Sequence, residues 1–167
     1  MKTKNKGFTL IELIIVIVVL GILAITALPR LLNLQTDSRI AALNGLKAGM
    51  QSAADMVYPL AIQNGVADQS SGQITIDAGP VSLAYGYPAA FAKQTWSVLM
   101  EAKFADGVYN PETEADWYFH NPRGGANDSW IRFMTKSLKD PKYNCYLIYN
   151  QATESKPPYF ELVTTGC

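Results

Sequence analysis

Residues 8–28 read FTLIELIIVIVVLGILAITAL, a run with one charged residue, Glu12. At about 1.5 Å per helical residue the run spans about 31 Å, the hydrocarbon thickness of a bilayer. Lys2, Lys4 and Lys6 precede it without an acidic residue, which indicates an N-terminus that stays in the cytoplasm. We therefore expect the rest of the chain to lie on the other side of the membrane.

Three interpretations of this run compete: a cleaved secretory signal, an ordinary membrane anchor, and a leader that is cut on the cytoplasmic side. The run is longer than the apolar part of most signal peptides, and Ile25-Thr26-Ala27 only loosely imitates their cleavage site. An ordinary anchor leaves Glu12 without a function. However, a carboxylate near one end of the span can reach the membrane–water interface, where its free energy of insertion is lower than in the hydrocarbon.

Residues 6–13, KGFTLIEL, resemble the leader and processing site of type IV pilins and of the related pseudopilins of type II secretion. The resemblance implies that prepilin peptidase cuts between Gly7 and Phe8 and methylates the new N-terminus at Phe8. It also implies that Glu12 serves assembly. The new amine lies one helical turn from this carboxylate, and the amine of a neighbouring copy would neutralise it in a filament.

Pro29 follows the apolar run, and we predict a kink there rather than the end of the helix. Beyond it, apolar residues recur at three- and four-residue steps with polar residues between them. This pattern predicts an amphipathic helix over residues 29–62, which Pro59 and Asn64-Gly65 end. Its apolar positions are Leu34, Ile40, Leu43, Leu46, Met50, Ala53 and Val57.

We expect residues 63–167 to form a globular α+β head. The expected domains are then a leader at 1–7, an apolar transmembrane and polymerisation helix at 8–28, the amphipathic helix at 29–62 and the head at 63–167. Alternation over residues 73–77 indicates a strand, and residues 88–104 indicate a short helix. Four later runs indicate an antiparallel meander that packs against the long helix: 116–120, 129–134, 145–149 and 159–164. The pilin resemblance implies the same architecture.

The two cysteines are Cys145 and Cys167. Since the head is expected outside the cytoplasm, we expect them to pair, with a stabilisation of about 3 kcal/mol in the chain-entropy model. The pair also resembles the disulfide-bounded C-terminal region of type IV pilins, which pseudopilins generally lack. A pseudopilin is therefore the second interpretation within the family.

Scattered segments resemble the mannose-sensitive haemagglutinin (MSHA) branch of type IVa pilins: residues 27–35, 85–88 and 163–167. The resemblance implies a prepilin in the bacterial inner membrane that becomes an extracellular filament for adhesion. Its partners would be copies of itself, related minor pilins, prepilin peptidase, the assembly machinery and host or surface glycans.

Composition and motifs argue against other classes of function. The 14 basic residues balance the 14 acidic ones, which argues against a protein held to nucleic acid by a basic surface. We find no phosphate loop, dinucleotide fingerprint or Cys/His metal spacing, so we expect neither an enzyme nor a cofactor. His120, the one histidine, is expected to pack in a strand rather than to catalyse.

Cleavage of the leader would remove Lys2, Lys4 and Lys6 and would change the formal charge of the chain from 0 to −3.

Two weaker candidates remain. Asn110, Glu112, Glu114 and Asp116 place oxygen atoms at alternate positions, as calcium loops do, but Pro111 interrupts them and a solvated loop is favoured. A membrane-tethered carbohydrate-binding domain would instead use exposed aromatic residues, although strand alternation sends about half of them into the core. Those aromatic residues are Trp117, Tyr118, Trp130, Tyr143, Tyr146, Tyr149 and Tyr159.

Overall fold

A computed structural model describes residues 8–121 and 129–167, and of residues 28–33 it describes the backbone alone. The chain divides into two compact units, Met1–Asp37 and Ser38–Cys167. One long helix, α1, runs over Leu10–Gln63 and is followed by two sheets of mainly antiparallel strands. The predicted α+β class is therefore confirmed.

In the first unit, α1 carries an 18-residue stretch, Leu10–Ala27, that is long and apolar enough to cross a membrane. It is the one such stretch within the described residues, and none of it is buried inside the protein. The predicted kink at Pro29 stays a prediction.

In the second unit, α1 is amphipathic as predicted. Leu43, Leu46, Met50 and Ala53 are buried on one face and pack against the larger sheet. The helix runs through Pro59 and ends at Gln63, one residue beyond the expected end at 62. Proline weakens a helix interior because it lacks an amide donor.

Packing explains why the last turns of α1 persist beyond this proline. Val57 and Ala61, on either side of it, are buried in a second apolar cluster with the smaller sheet. Gly65 follows the end of the helix at Gln63. Its φ of +68° lies in the left-handed region, and its amide donates to the Ile62 carbonyl at 3.0 Å.

The smaller sheet contains β1 (Gly72–Ile76), β2 (Gly79–Ala84) and β3 (Tyr87–Pro88), all antiparallel. Only β1 was predicted. β2 includes a glycine and a proline, which weaken the strand signal, and β3 is two residues long.

The predicted helix over residues 88–104 is wrong in extent. Pro88 belongs to β3, a π-helical turn spans Ala92–Trp96, α2 spans Ser97–Met100, and Phe104 begins β4. The backbone ahead of the π-helical turn is bonded elsewhere. The amide of Ala89 donates to Ser82 and the amide of Ala90 donates to the Gln151 side chain. These bonds, and burial of Trp96, outweigh the local helix propensity.

The larger sheet contains five strands in the order β4-β5-β6-β7-β8. They are β4 (Phe104–Asp106), β5 (Trp117–His120), β6 (Trp130–Met134), β7 (Tyr146–Asn150) and β8 (Tyr159–Val163). The antiparallel meander from β5 to β8 is confirmed, whereas β4 was not predicted and pairs with β5 in parallel.

The strand register gives this sheet two different faces. The inner face packs against α1 and includes Phe133, Leu147 and Tyr149. On the other face, which we call the outer face, His120, Arg132, Ile148 and Glu161 form one row across β5 to β8. Two further rows of the outer face flank this one. One row contains Trp130, Asn150 and Tyr159, and the other contains Tyr118, Met134, Tyr146 and Val163.

Candidate processing and assembly segment

Glu12 closes the first turn of α1 through a reciprocal pair of contacts with Thr9. Its Oε2 accepts from the Thr9 amide at 2.8 Å and from the Thr9 hydroxyl at 2.7 Å. The Glu12 amide donates to the Thr9 hydroxyl oxygen at 3.3 Å. This is a capping box, in which the N-cap residue and the third helical residue satisfy each other's amides. The spacing Thr-x-x-Glu before an apolar run is the sequence signal from which this capping box could have been predicted.

The partners of Glu12 in the capping box are neutral. Within residues 8–121 and 129–167, none of the ion pairs includes this carboxylate. Polar contacts from Thr9 lower the cost of an acid in an apolar run, but a cation would lower it further.

Phe8 and Thr9 precede the first helical residue, Leu10. Phe8 is exposed, and the Gly7 side of the expected cleavage site lies outside the described residues. A bond ahead of the helix can be cut without unwinding a helical turn.

The remainder of the segment offers an apolar surface on every side. The large apolar side chains of Leu10–Ala27 are all exposed. A surface of this kind is stable in lipid or against other apolar helices, and it is unfavourable in water. The described residues bury none of this stretch.

In the second unit, Cys145 and Cys167 form a disulfide across 22 residues, with 4.8 Å between their Cα atoms. Arg39 of α1 binds the same region: its Nε donates to the Ser137 hydroxyl at 3.1 Å, and its guanidinium donates to the carbonyl oxygen of Cys167. The C-terminal segment is thus held by a covalent bond to the start of β7 and by hydrogen bonds to α1. Sequence reasoning missed Arg39.

The proposed calcium ligands are not brought together. Glu114 pairs with Lys136 at 2.7 Å, and Asp116 accepts from the Lys103 amide at 2.9 Å. Lys136 lowers the pKa of Glu114 through a hydrogen bond and its positive charge. Glu112 and Asn110 are exposed, and the part of the chain that the structure describes has no group of three His, Cys, Asp or Glu side chains suited to a metal ion.

The aromatic candidates for carbohydrate stacking are divided between core and surface. Tyr118 and Tyr149 are fully buried, and Tyr146 is nearly so, whereas Tyr143 and Tyr159 are exposed. Tyr149 donates to the Pro88 carbonyl at 2.5 Å, and burial raises its pKa. These buried rings therefore serve packing.

The single histidine is partly buried on β5. Its Nδ1 lies 4.0 Å from Asp106 Oδ1, a carboxylate oxygen that already accepts from the amides of Val108 and Tyr109. Asp106 thus orders the loop after β4, while His120 Nδ1 has no hydrogen-bond partner within the described residues.

Comparison with known proteins bears on the N-terminal segment. A family model described as "Prokaryotic N-terminal methylation motif" matches residues 2–28. Neither the curated proteins nor the solved structures that were compared gave a match to this chain. The matched residues include the Gly7-Phe8 junction, the Thr9 and Glu12 capping box and the exposed apolar stretch of α1. Together, the motif and this segment indicate a type IV pilin-like prepilin.

Proposed function

We propose that this chain is a structural subunit of a type IV pilus. Prepilin peptidase cuts it between Gly7 and Phe8 and methylates Phe8, and the mature chain polymerises through the apolar stretch of α1. The observation that carries the proposal is the methylation motif at the start of an apolar helix that the chain itself leaves uncovered. In the membrane lipid covers this helix, and in the filament the helices of other copies replace lipid.

Glu12 makes this replacement selective. Cleavage at Gly7 leaves the capping box intact because Thr9 and Glu12 both lie beyond the cut bond. It also creates a cationic amine at Phe8. In an apolar surrounding, a carboxylate and an amine attract each other far more strongly than in water. A subunit that enters the filament pairs the Glu12 charge with the amine of a neighbouring copy, which favours one register between adjacent helices.

The disulfide supports a pilin over a pseudopilin, since it closes the C-terminal region that the resemblance associates with pilins. The resemblance of residues 27–35, 85–88 and 163–167 to the MSHA branch supports an adhesive filament of that type. The chain is then a prepilin of the inner membrane that becomes an extracellular subunit.

Mass analysis of filaments sheared from the cell surface tests this function. We expect a chain that begins at N-methyl-Phe8 and contains the Cys145–Cys167 bond. Gly7→Val should block cleavage and leave the uncut chain in the membrane fraction, and Lys4→Gln, which leaves the junction unchanged, is the matched control. A surface protein that begins at Met1 or after Ala27 would overturn the proposal.

A further inference from the structure

Arg132 lies between two aromatic rings on the outer face of the larger sheet. Its guanidinium carbon is 4.9 Å from the ring centroid of Trp130, on the same strand, and 4.9 Å from that of Tyr146, on β7. Stacking of this kind holds the planar guanidinium in one orientation and restricts its side-chain rotamers.

This guanidinium has no acidic partner in the residues that the structure describes. The Nε atom of Arg132 is buried without a hydrogen-bond partner, and the ion pairs of the protein involve other side chains. Its neighbours in the row are His120 and Ile148. Glu161 lies two strands away, about 10 Å at the usual strand spacing, and accepts from Asn150.

The two rings attract the Arg132 cation, but they cannot accept its N–H groups as an oxygen does, and the described residues supply no carboxylate, so an anionic acceptor would stabilise it further. The ligand that best matches its fork of N–H groups is a carboxylate, which can accept two parallel hydrogen bonds. Trp, Tyr and Arg are also the residues that dominate the energy of protein interfaces. Exposed Tyr159 extends this part of the outer face toward the edge of the sheet.

We propose that Arg132 is a carboxylate-binding site, and that in the filament an acidic side chain of a neighbouring copy fills it. This inference rests on the proposed function, because polymerisation is what brings copies together. The mature chain has a formal charge of −3 after loss of the leader lysines, so each copy presents an excess of acid to the next. Exposed acidic residues without an ion-pair partner in the described part of the chain are Glu12, Asp37, Asp55, Asp68, Asp77, Glu101, Glu112, Asp116, Glu154 and Glu161.

Photo-crosslinking in intact filaments tests the site. A photoreactive amino acid in place of Ile148, next to Arg132 in the row, should crosslink two copies, and mass spectrometry should find an Asp- or Glu-containing peptide at the crosslink. The same group in place of exposed Glu161 is a second position, in case the change at Ile148 disturbs the sheet. A photoreactive group in place of Val16, in the apolar stretch, reports polymerisation itself.

Removal of the Arg132 guanidinium tests whether it binds the carboxylate. Arg132→Gln should lower the crosslink from residue 148 by about tenfold, since hydrogen bonds to charged groups contribute about that factor or more. Lys156→Gln removes an equal charge from an exposed loop and should leave the yield unchanged. A blocked-thiol assay for the Cys145–Cys167 bond shows that each variant has folded.

The outcomes separate the two proposals. Crosslinks between copies from residue 16 but none from residues 148 or 161 overturn the carboxylate site and leave the filament intact. A crosslink from residue 148 that survives Arg132→Gln, or one that captures a different protein, also overturns the site. Absence of any crosslink from residue 16 overturns the proposed function and with it this inference.

Discussion

The hydroxyl of Thr9 donates to Glu12 Oε2 at 2.7 Å, and the Glu12 amide donates to the same hydroxyl at 3.3 Å. Two side chains one turn apart thus close the start of α1, and the Glu12 carboxylate has a neutral partner even without a nearby cation. Helix capping is the function that these contacts show, and charge neutralisation in the filament is the second function that we propose for this side chain; substitutions can separate the two.

The first prediction concerns this separation. Glu12→Gln keeps an oxygen that can accept from the Thr9 amide but removes the negative charge, so we expect an ordered first turn and loss of filaments. Thr9→Val removes the hydroxyl and keeps the charge, so we expect faster amide exchange in the first turn and nearly normal filament yield. Hydrogen exchange of the chain in detergent and the amount of sheared filament measure these results. Parental amounts of filament from Glu12→Gln would refute an electrostatic role in assembly.

The second prediction concerns Arg39, which joins α1 to Ser137 and to the Cys167 carbonyl. Arg39→Gln should lower the free energy of unfolding by about 1.5–3 kcal/mol, because hydrogen bonds to a charged group contribute about that much. Denaturant unfolding in detergent, followed by tryptophan fluorescence, measures the change. Lys156→Gln is the control that removes the same charge from an exposed loop, and equal midpoints for the two variants would contradict this role of Arg39.

Periodic elements of this fold were predictable from sequence. The buried face of α1 repeats at helical steps, and β5 to β8 alternate over four or five residues, so composition and period agree with the structure. The prediction of one helix over residues 88–104 was wrong because these residues favour a helix locally. The hydrogen bond from the Ala90 amide to the Gln151 side chain depends on a distant part of the chain, which no local pattern shows. β4 is three residues long, and its parallel pairing with β5 leaves no local signal.

The candidate functional residues also fall into two groups, those with a local sequence signal and those without one. The junction at Gly7 and Phe8 and the acid at Glu12 belong to one short motif, so sequence alone could identify them. The contacts of Arg39 join it to residues 98 and 128 positions away, which no local pattern reports. The aromatic neighbours of Arg132 likewise become visible only once the register of β6 and β7 is known.

A third prediction concerns pH and the exposed pair of Glu114 and Lys136. Lys136 holds the pKa of Glu114 below its ordinary value of 4.5, so this carboxylate contributes stability above pH 4.5 that is lost as the pH falls through the lowered pKa. Glu114→Gln should therefore lower the unfolding midpoint slightly at pH 7, and the difference from the parent should shrink as the pH falls below 4.5. Both side chains are exposed, so high salt should also reduce the difference. A difference that is larger at pH 3 than at pH 7 would contradict the pairing.

A fourth prediction compares two glycines in different surroundings. A Cβ built on Gly166 would lie 1.7 Å from the Tyr143 carbonyl oxygen, so Gly166→Ala must displace the backbone that leads into Cys167. We expect a loss of stability and easier reduction of the Cys145–Cys167 bond, measured by unfolding and by thiol release in detergent. Gly45→Ala is the matched control because a Cβ there meets nothing within 4 Å on the exposed face of α1. It should instead stabilise the helix by about 0.5–1 kcal/mol. If both substitutions shift the midpoint in the same direction, close backbone packing at Gly166 does not hold the C-terminal segment.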